Sequence, residues 1–314
     1  MYAIPLEEAR LHREEKIEKA QRLLTEAVER LQSGEDWQAM LAKLARGGPF
    51  TIRRFSFRNQ ILVEMQCPGA TAVATYAAWQ RAGRQIRRGE RALTILAPVI
   101  INRSKMSGEP DDEGTVLVGF RPLPSFAGSQ TDPLPGKAGR PLPEPTPITK
   151  NIEADEAFER SVEILRDVAL GLGASVVSGV DLRPRRQGDS VAARGWFDRA
   201  DRRIVVITGE TTRAQVFKTL VHEIAHAILH GTEEHHGRAE MEVEAESVAF
   251  VVSNVVGLDA GEYSFPYVCC WAGGENAQTM VLQSGQRIVK ATNVVLDALL
   301  GAINSGRTDL QGAA

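Results

Sequence analysis

Cysteine is almost missing from this chain of 314 residues: Cys67, Cys269 and Cys270 are the only three. Two of them are adjacent, where ordinary bridge geometry fails, so a paired disulfide framework is excluded and a reducing, cytoplasmic setting is expected. Without partners at ligand spacing, Cys269 and Cys270 read as small core residues. Long apolar runs are missing too. No stretch could span a bilayer, and the opening "MYAIPLEEARLHREEK" mixes acidic and basic residues where a signal peptide would need an apolar core. Neither secretion nor membrane insertion is expected. The remaining composition, 43% hydrophobic and 25% charged, is that of a globular protein with a sizeable core, and the length favours two domains.

The net charge of -3 conceals two opposed blocks. From Thr51 to Lys105 ten Lys/Arg face two acidic residues, a net of +8, whereas Gly209 to Glu246 holds eight Glu against three basic residues, a net of -5. Two jobs in two places are implied. Eight of the fifteen prolines fall between Pro122 and Pro147, which reads as a linker over 122–150 between domains at 1–121 and 151–314.

Apolar residues at Ile17, Ala20, Leu24, Ala27, Val28 and Leu31 predict a helix over Leu6 to Ser33. Further helices are expected at Phe57 to Met65 and Ala72 to Ala82, stopped by Pro68 and Gly83. "RQIRRGERALTILAPVIIN" reads as a strand, a turn and a strongly apolar strand, with "GTVLVGF" as its partner. After the linker, a helix over Ala154 to Leu172 leads to short strands, among them the hairpin "ARGWFDRADRRIVVIT". Helices at Thr212 to His230, Arg238 to Val256 and about Ala277 to Ile303 complete an α+β chain of two domains.

"VHEIAHAILHG" carries the chemistry. His222 and His226, four residues apart, share one helix face and can offer two imidazole nitrogens to one ion, while Glu223 can reach a metal-bound water without being a ligand. That is the zincin arrangement, with Glu223 as general base. One Zn2+ per chain is expected. Two sources of a third ligand stand open: His235 or His236 just after the helix, and "EMEVEAESVAF". Glu242 and Glu246 share a face there while Glu244 points away, which favours Glu242 as ligand with Glu246 hydrogen-bonded to an imidazole. The metzincin pattern is excluded, since it needs Gly at Leu229 and His at Thr232. His230 continues the series but diverges from the ion, leaving it a surface or supporting role. Tyr267 could donate to an oxyanion, or could simply pack beside Trp271.

In the basic block arginines interleave with Phe55, Phe57, Tyr76 and Trp79, the combination that holds nucleic-acid strands by phosphate contact and base stacking. Arg84, Arg87 and Arg88 near a turn are the first candidates for DNA contact, followed by Arg58 and Asn59. Trp79 is a stacking candidate that would equally serve a core.

The pieces "FSFRNQILVEMQCPGATAV", "WQRAGRQIRRGERALTILAP", "SFAGSQTDPLP", "WFDRADRRIVVIT", "HEIAHAILHG" and "EVEAESVAFVV", in this order, resemble the ArdC-like antirestriction proteins of mobile elements, over nearly the whole chain. The resemblance implies an N-terminal single-stranded-DNA-binding domain and a C-terminal zincin-like metallopeptidase domain of ImmA/IrrE type, in which Glu242 is the third ligand. Single-stranded DNA is then a partner, and a host restriction protein or another DNA-bound protein a peptide substrate. Two other readings stand beside it. One is a SprT-like protease acting on DNA-bound proteins, with a histidine third ligand; the other is a non-enzymatic DNA-binding protein with a structural zinc.

Overall fold

The computed structural model describes residues 6–31, 34–44, 52–103, 114–136, 139, 142, 155–179, 194–209, 211–232, 237–258 and 277–311. They form two compact units, Met1–Glu29 with Gly48–Glu144 and Arg30–Gly47 with Pro145–Ala314. Both mix helix and strand. Among the described residues, no helix is long and apolar enough to cross a membrane.

In the first unit, α1 (Leu6–Arg30) buries Ala20, Leu24, Ala27 and Val28, the stripe its periodicity predicts. The sheet has the order β1-β4-β3, from Val73–Ala74, Thr115–Ala127 and Leu93–Asn102, all antiparallel. β2 (Arg84–Ile86) pairs instead with β5 (Thr131–Pro133). The helix expected over Ala72 to Ala82 divides, because Val73 and Ala74 join the sheet and leave Tyr76–Arg81 as α4.

The proline-rich segment is a strand where a linker was expected to begin. Pro122 and Pro124 lie in β4 opposite Leu96 and Thr94 of β3. In an antiparallel pair, alternate residues turn their backbone groups away from the partner strand, and a proline at such a position loses no ladder bond. Leu96 and Thr94 do turn away, towards α3 (Phe57–Gln66): Asn59 bonds both backbone groups of Leu96, at 2.8 and 2.9 Å, and Gln66 does the same for Thr94, at 2.9 Å. Two side-chain amides, i and i+7 on one helix, complete the ladder a further strand would supply. Beneath them Val63, Val73, Leu93, Ile95 and Ala127 form a core.

The second unit gathers a segment from the N-terminal half. α2 (Gly34–Leu44) is amphipathic and buries Trp37, Met40 and Leu41; the indole Nε1 of Trp37 donates to Ser247 Oγ at 2.9 Å. The expected boundary at residue 121 therefore does not divide the chain cleanly, since an apolar face needs a complementary one wherever the sequence puts it. α5 (Asp155–Gly171) leads into a sheet ordered β6-β8-β7, in which Ser175–Gly179 runs parallel and Gly195–Asp198 antiparallel to the central Arg203–Ile207. α6 (Arg213–Leu229) starts at a capping box: Gln215 N–H donates to Thr212 Oγ1 and Thr212 N–H to Gln215 Oε1, both at 3.2 Å. α7 (Arg238–Val255) is apolar on most of its circumference and lies in the core, packed against α2, α6 and α8 (Ala277–Gln311).

Candidate metal centre

α6 presents His222 and His226 side by side with their Nε2 atoms 3.1 Å apart. α7 brings Glu242 Oε2 to 3.4 Å from the first and 3.8 Å from the second. Ligand atoms about 2.0–2.1 Å from a tetrahedral zinc lie roughly 3.4 Å from one another. The three donors therefore fit a single ion without rearrangement, and among the described residues they are the one cluster of metal-binding type. Behind His222, its Nδ1 lies 3.2 Å from Glu246 Oε2, and Lys218 Nζ holds the other carboxylate oxygen at 2.7 Å. Lys218, one turn before His222, could have been found by the same i, i+4 rule.

The acidic surroundings set the charge. Burial disfavours a charged His222, yet hydrogen bonds it donates to Glu242 and Glu246 and the nearby charge of Glu223 outweigh it and lift His222 to about 9. Hydrogen bonds accepted from His222 and His226 hold the Glu242 carboxyl far below its usual range. Glu246 is also lowered: burial opposes this, but His222 and Lys218 prevail. Two carboxylates, Glu242 and Glu246, ionised beside imidazoles make a site that favours a cation.

Glu223 is buried on α6 and lines the same cleft of about 900 Å³ as the three donors, with Gly195, Trp196 and Phe197 of β7 along one wall and Arg194, Arg199 and Arg238 at its edge. β7 lies hard against the histidine helix. A Cβ on Gly195 would sit 2.6 Å from Thr219 Cγ2, 2.8 Å from the Val205 carbonyl oxygen and 3.3 Å from Glu223 Cγ. Glycine is what lets strand and general-base candidate share that space.

His230, expected to take a surface or supporting role, and Glu244, expected to point away, are both buried beside the site. His230 Nδ1 lies 3.0 Å from His226 Nδ1, so the third histidine is not a surface residue. Tyr267, His235, His236, Cys269 and Cys270 lie outside the described residues.

The candidate DNA contacts separate into two groups. Asn59 is consumed by its two bonds to Leu96 and is buried. Trp79 is 1% exposed, its Nε1 donating to the Phe126 carbonyl at 2.9 Å. Arg84 is 8% exposed, with Nε on Thr131 Oγ1 at 2.8 Å and Nη2 on the Thr131 carbonyl at 3.0 Å. Arg84, expected to contact DNA from near the turn, is instead drawn inward by the pairing of β2 with β5. Arg87 is exposed but tied to Glu90, Asp132 and the Ser129 carbonyl. Arg88 and Arg58 are exposed, Arg58 lying over the Phe120 ring at 6.0 Å.

Residues 17–121 match the family described as the N-terminal domain of anti-restriction factor ArdC. Two crystal structures of the antirestriction protein ArdC from plasmid R388, one metal-free and one Mn(II)-bound, share the fold. Each superposes with a TM-score of 0.54 at 15% identity; the metal-free one covers 88% of this chain and 98% of its own, the Mn(II)-bound one 89% and 97%. An uncharacterized protein of Bacillus anthracis is 24% identical over 332 residues, 95% of this chain and 53% of that protein, so the chain spans about half the relative's length. Residues 17–121 thus match the ArdC N-terminal domain, and the chain shares the ArdC fold along most of its length.

Proposed function

We propose that the second unit is a zinc peptidase and that the first binds single-stranded DNA, the two together protecting incoming DNA from host restriction. The observation that carries the peptidase reading is Glu223, a buried carboxylate bordering the same cleft as His222, His226 and Glu242. An ion held by those three would lower the pKa of a bound water and polarise a carbonyl. Glu223 would take the proton from that water and hold it near the leaving amine. Glu246, anchored by Lys218, keeps the His222 ring turned so that Nε2 faces the cleft. β7, an edge among the described strands, offers backbone groups to an extended peptide laid along the cleft.

Two nitrogens and one carboxylate oxygen suit zinc better than manganese, which favours oxygen-rich octahedral sites; the Mn(II) in the R388 protein makes manganese the competitor to test. A structural zinc would be closed by four protein ligands, whereas among the described residues this cluster holds three and opens on a cleft. The donor set also favours Glu242 over a histidine third ligand, and with it the ImmA/IrrE-type reading over the SprT-like one. DNA contact is assigned to exposed Arg58 and Arg88, with Phe120 and Tyr76 as exposed stacking faces.

The deciding comparison is wild type against Glu223→Gln in protection of transforming DNA from restriction. The variant should keep about one zinc per chain and lose protection. Full protection by the variant would assign the activity to binding alone.

A further inference from the structure

Behind His226 lies a chain of buried polar groups with no part in the mechanism above. Its first bond joins His226 Nδ1 to His230 Nδ1 at 3.0 Å, and its second joins His230 Nε2 to Glu244 Oε2, also at 3.0 Å. The side chains of His230 and Glu244 are both 0% exposed. The other oxygen, Glu244 Oε1, accepts from Ser284 Oγ and from Arg287 Nε at 2.8 Å, both on α8, and Arg287 also pairs with Glu240. Three helices thus contribute to one hydrogen-bonded chain that ends on a ligand imidazole.

The direction of the donors along this chain is fixed. A carboxylate can only accept, and the Arg287 guanidinium, with Nε 2.8 Å from Glu244 Oε1, pairs with it as a carboxylate. His230 must then donate from Nε2, which leaves its Nδ1 as an acceptor. With His226 Nε2 as the ligand atom, the proton of that ring sits on Nδ1, and a proton on His230 Nδ1 as well would set two N–H donors head to head at 3.0 Å. His226 therefore donates from Nδ1, and its Nε2 lone pair is left facing Glu242 and His222. The opposite tautomer of either ring breaks the sequence of bonds.

We propose that His230 and Glu244 are positioning residues of the metal centre, fixing the tautomer and orientation of His226 as Glu246 does for His222. The three alternating glutamates then divide the work among them, since Glu242 meets the ion, Glu246 backs the first histidine, and Glu244 backs the second through His230. The pattern is legible as three histidines at i, i+4, i+8 facing glutamates at i, i+2, i+4. A carboxylate behind a ligand imidazole, direct or relayed, raises the basicity of the donor nitrogen and removes its rotational freedom.

This inference rests on the metal reading proposed for the second unit. Its first test uses the full-length wild-type chain loaded with zinc and labelled with 15N-histidine. NMR should show His226 protonated at Nδ1 and His230 at Nε2; a proton on His230 Nδ1 would overturn the proposal, and needs no variant to fold. The second test is zinc affinity against a competing chelator. His230→Leu should weaken binding about 10- to 100-fold, the usual cost of losing such a partner. His230→Gln, whose amide accepts from His226 and donates to Glu244, should stay close to wild type. Unchanged affinity in His230→Leu, or equal losses in both variants, would reduce the chain to packing. A wild-type protein that takes up no zinc would remove the metal reading and this inference together, an outcome distinct from the others.

Discussion

His222 shows how far one residue's environment reaches. Its folded pKa of about 9 lies above the ordinary value of 6.5, so in the metal-free protein its stabilising contribution is complete below pH 6.5 and is lost as pH rises through 9. A melting series on metal-free protein should decline across that window, and His222→Gln should remove that part of the decline. Zinc affinity should run the other way, rising up to about pH 9, because the metal must displace the same proton. Chelator competition at about pH 6, 7.5 and 9 checks this; a flat response would mean that the imidazole is already neutral. Gly195 makes the second case. Gly195→Ala forces a methyl to within 2.6 Å of Thr219 and 2.8 Å of a carbonyl oxygen, and should cost about 1–3 kcal/mol in denaturant titration.

At the scale of elements, α3 is held to β3 by amide side chains in place of a strand. Asn59→Ala would leave the Leu96 N–H and C=O buried and unsatisfied. At about 1–3 kcal/mol for each such group, the loss should be several times that of an ordinary surface substitution. If equilibrium unfolding showed a change below about 0.5 kcal/mol, Asn59 would be open again as a DNA contact. α2 gives the parallel test in the other unit. Trp37→Ala removes a fully buried indole and its bond to Ser247, and should cost about 3–5 kcal/mol. The loss should appear as weakened zinc retention on warming, because α7 carries both Ser247 and Glu242.

Across the whole molecule the basic block and the acidic block remain separate assignments. DNA affinity should fall steeply with added salt, since each neutralised phosphate releases condensed counterion, and Arg58→Ala with Arg88→Ala should flatten that slope by about two contacts. Arg84→Ala should instead lower stability with little change in slope, as its guanidinium is spent on Thr131. A binding isotherm at several salt concentrations separates the two; an Arg84 variant with the larger slope change would return that residue to the interface. Glu223→Gln should leave this binding untouched.

The sequence by itself determined what is local. The i, i+4 histidines, the capping box at Thr212 and the stripe of α1 follow from the 3.6-residue period, which fixes which side chains share a face before any tertiary contact forms. Turn residues likewise placed the β7–β8 hairpin, and the order of motifs pointed to the family. Tertiary structure alone decided which partner each face meets. Arg84 reads as an exposed cation until β5 arrives from nearly fifty residues away, and Pro122 and Pro124 read as the start of a linker until Leu96 and Thr94 are seen to turn from them. The assignments of Glu242, Glu244 and Glu246 also depended on packing. Their spacing separates two faces of one helix, but only packing brings the buried Glu244 its partners, His230 after α6 and Ser284 and Arg287 on α8. Periodicity encodes direction about a helix axis; what lies in that direction depends on residues distant in sequence, and no local pattern records them.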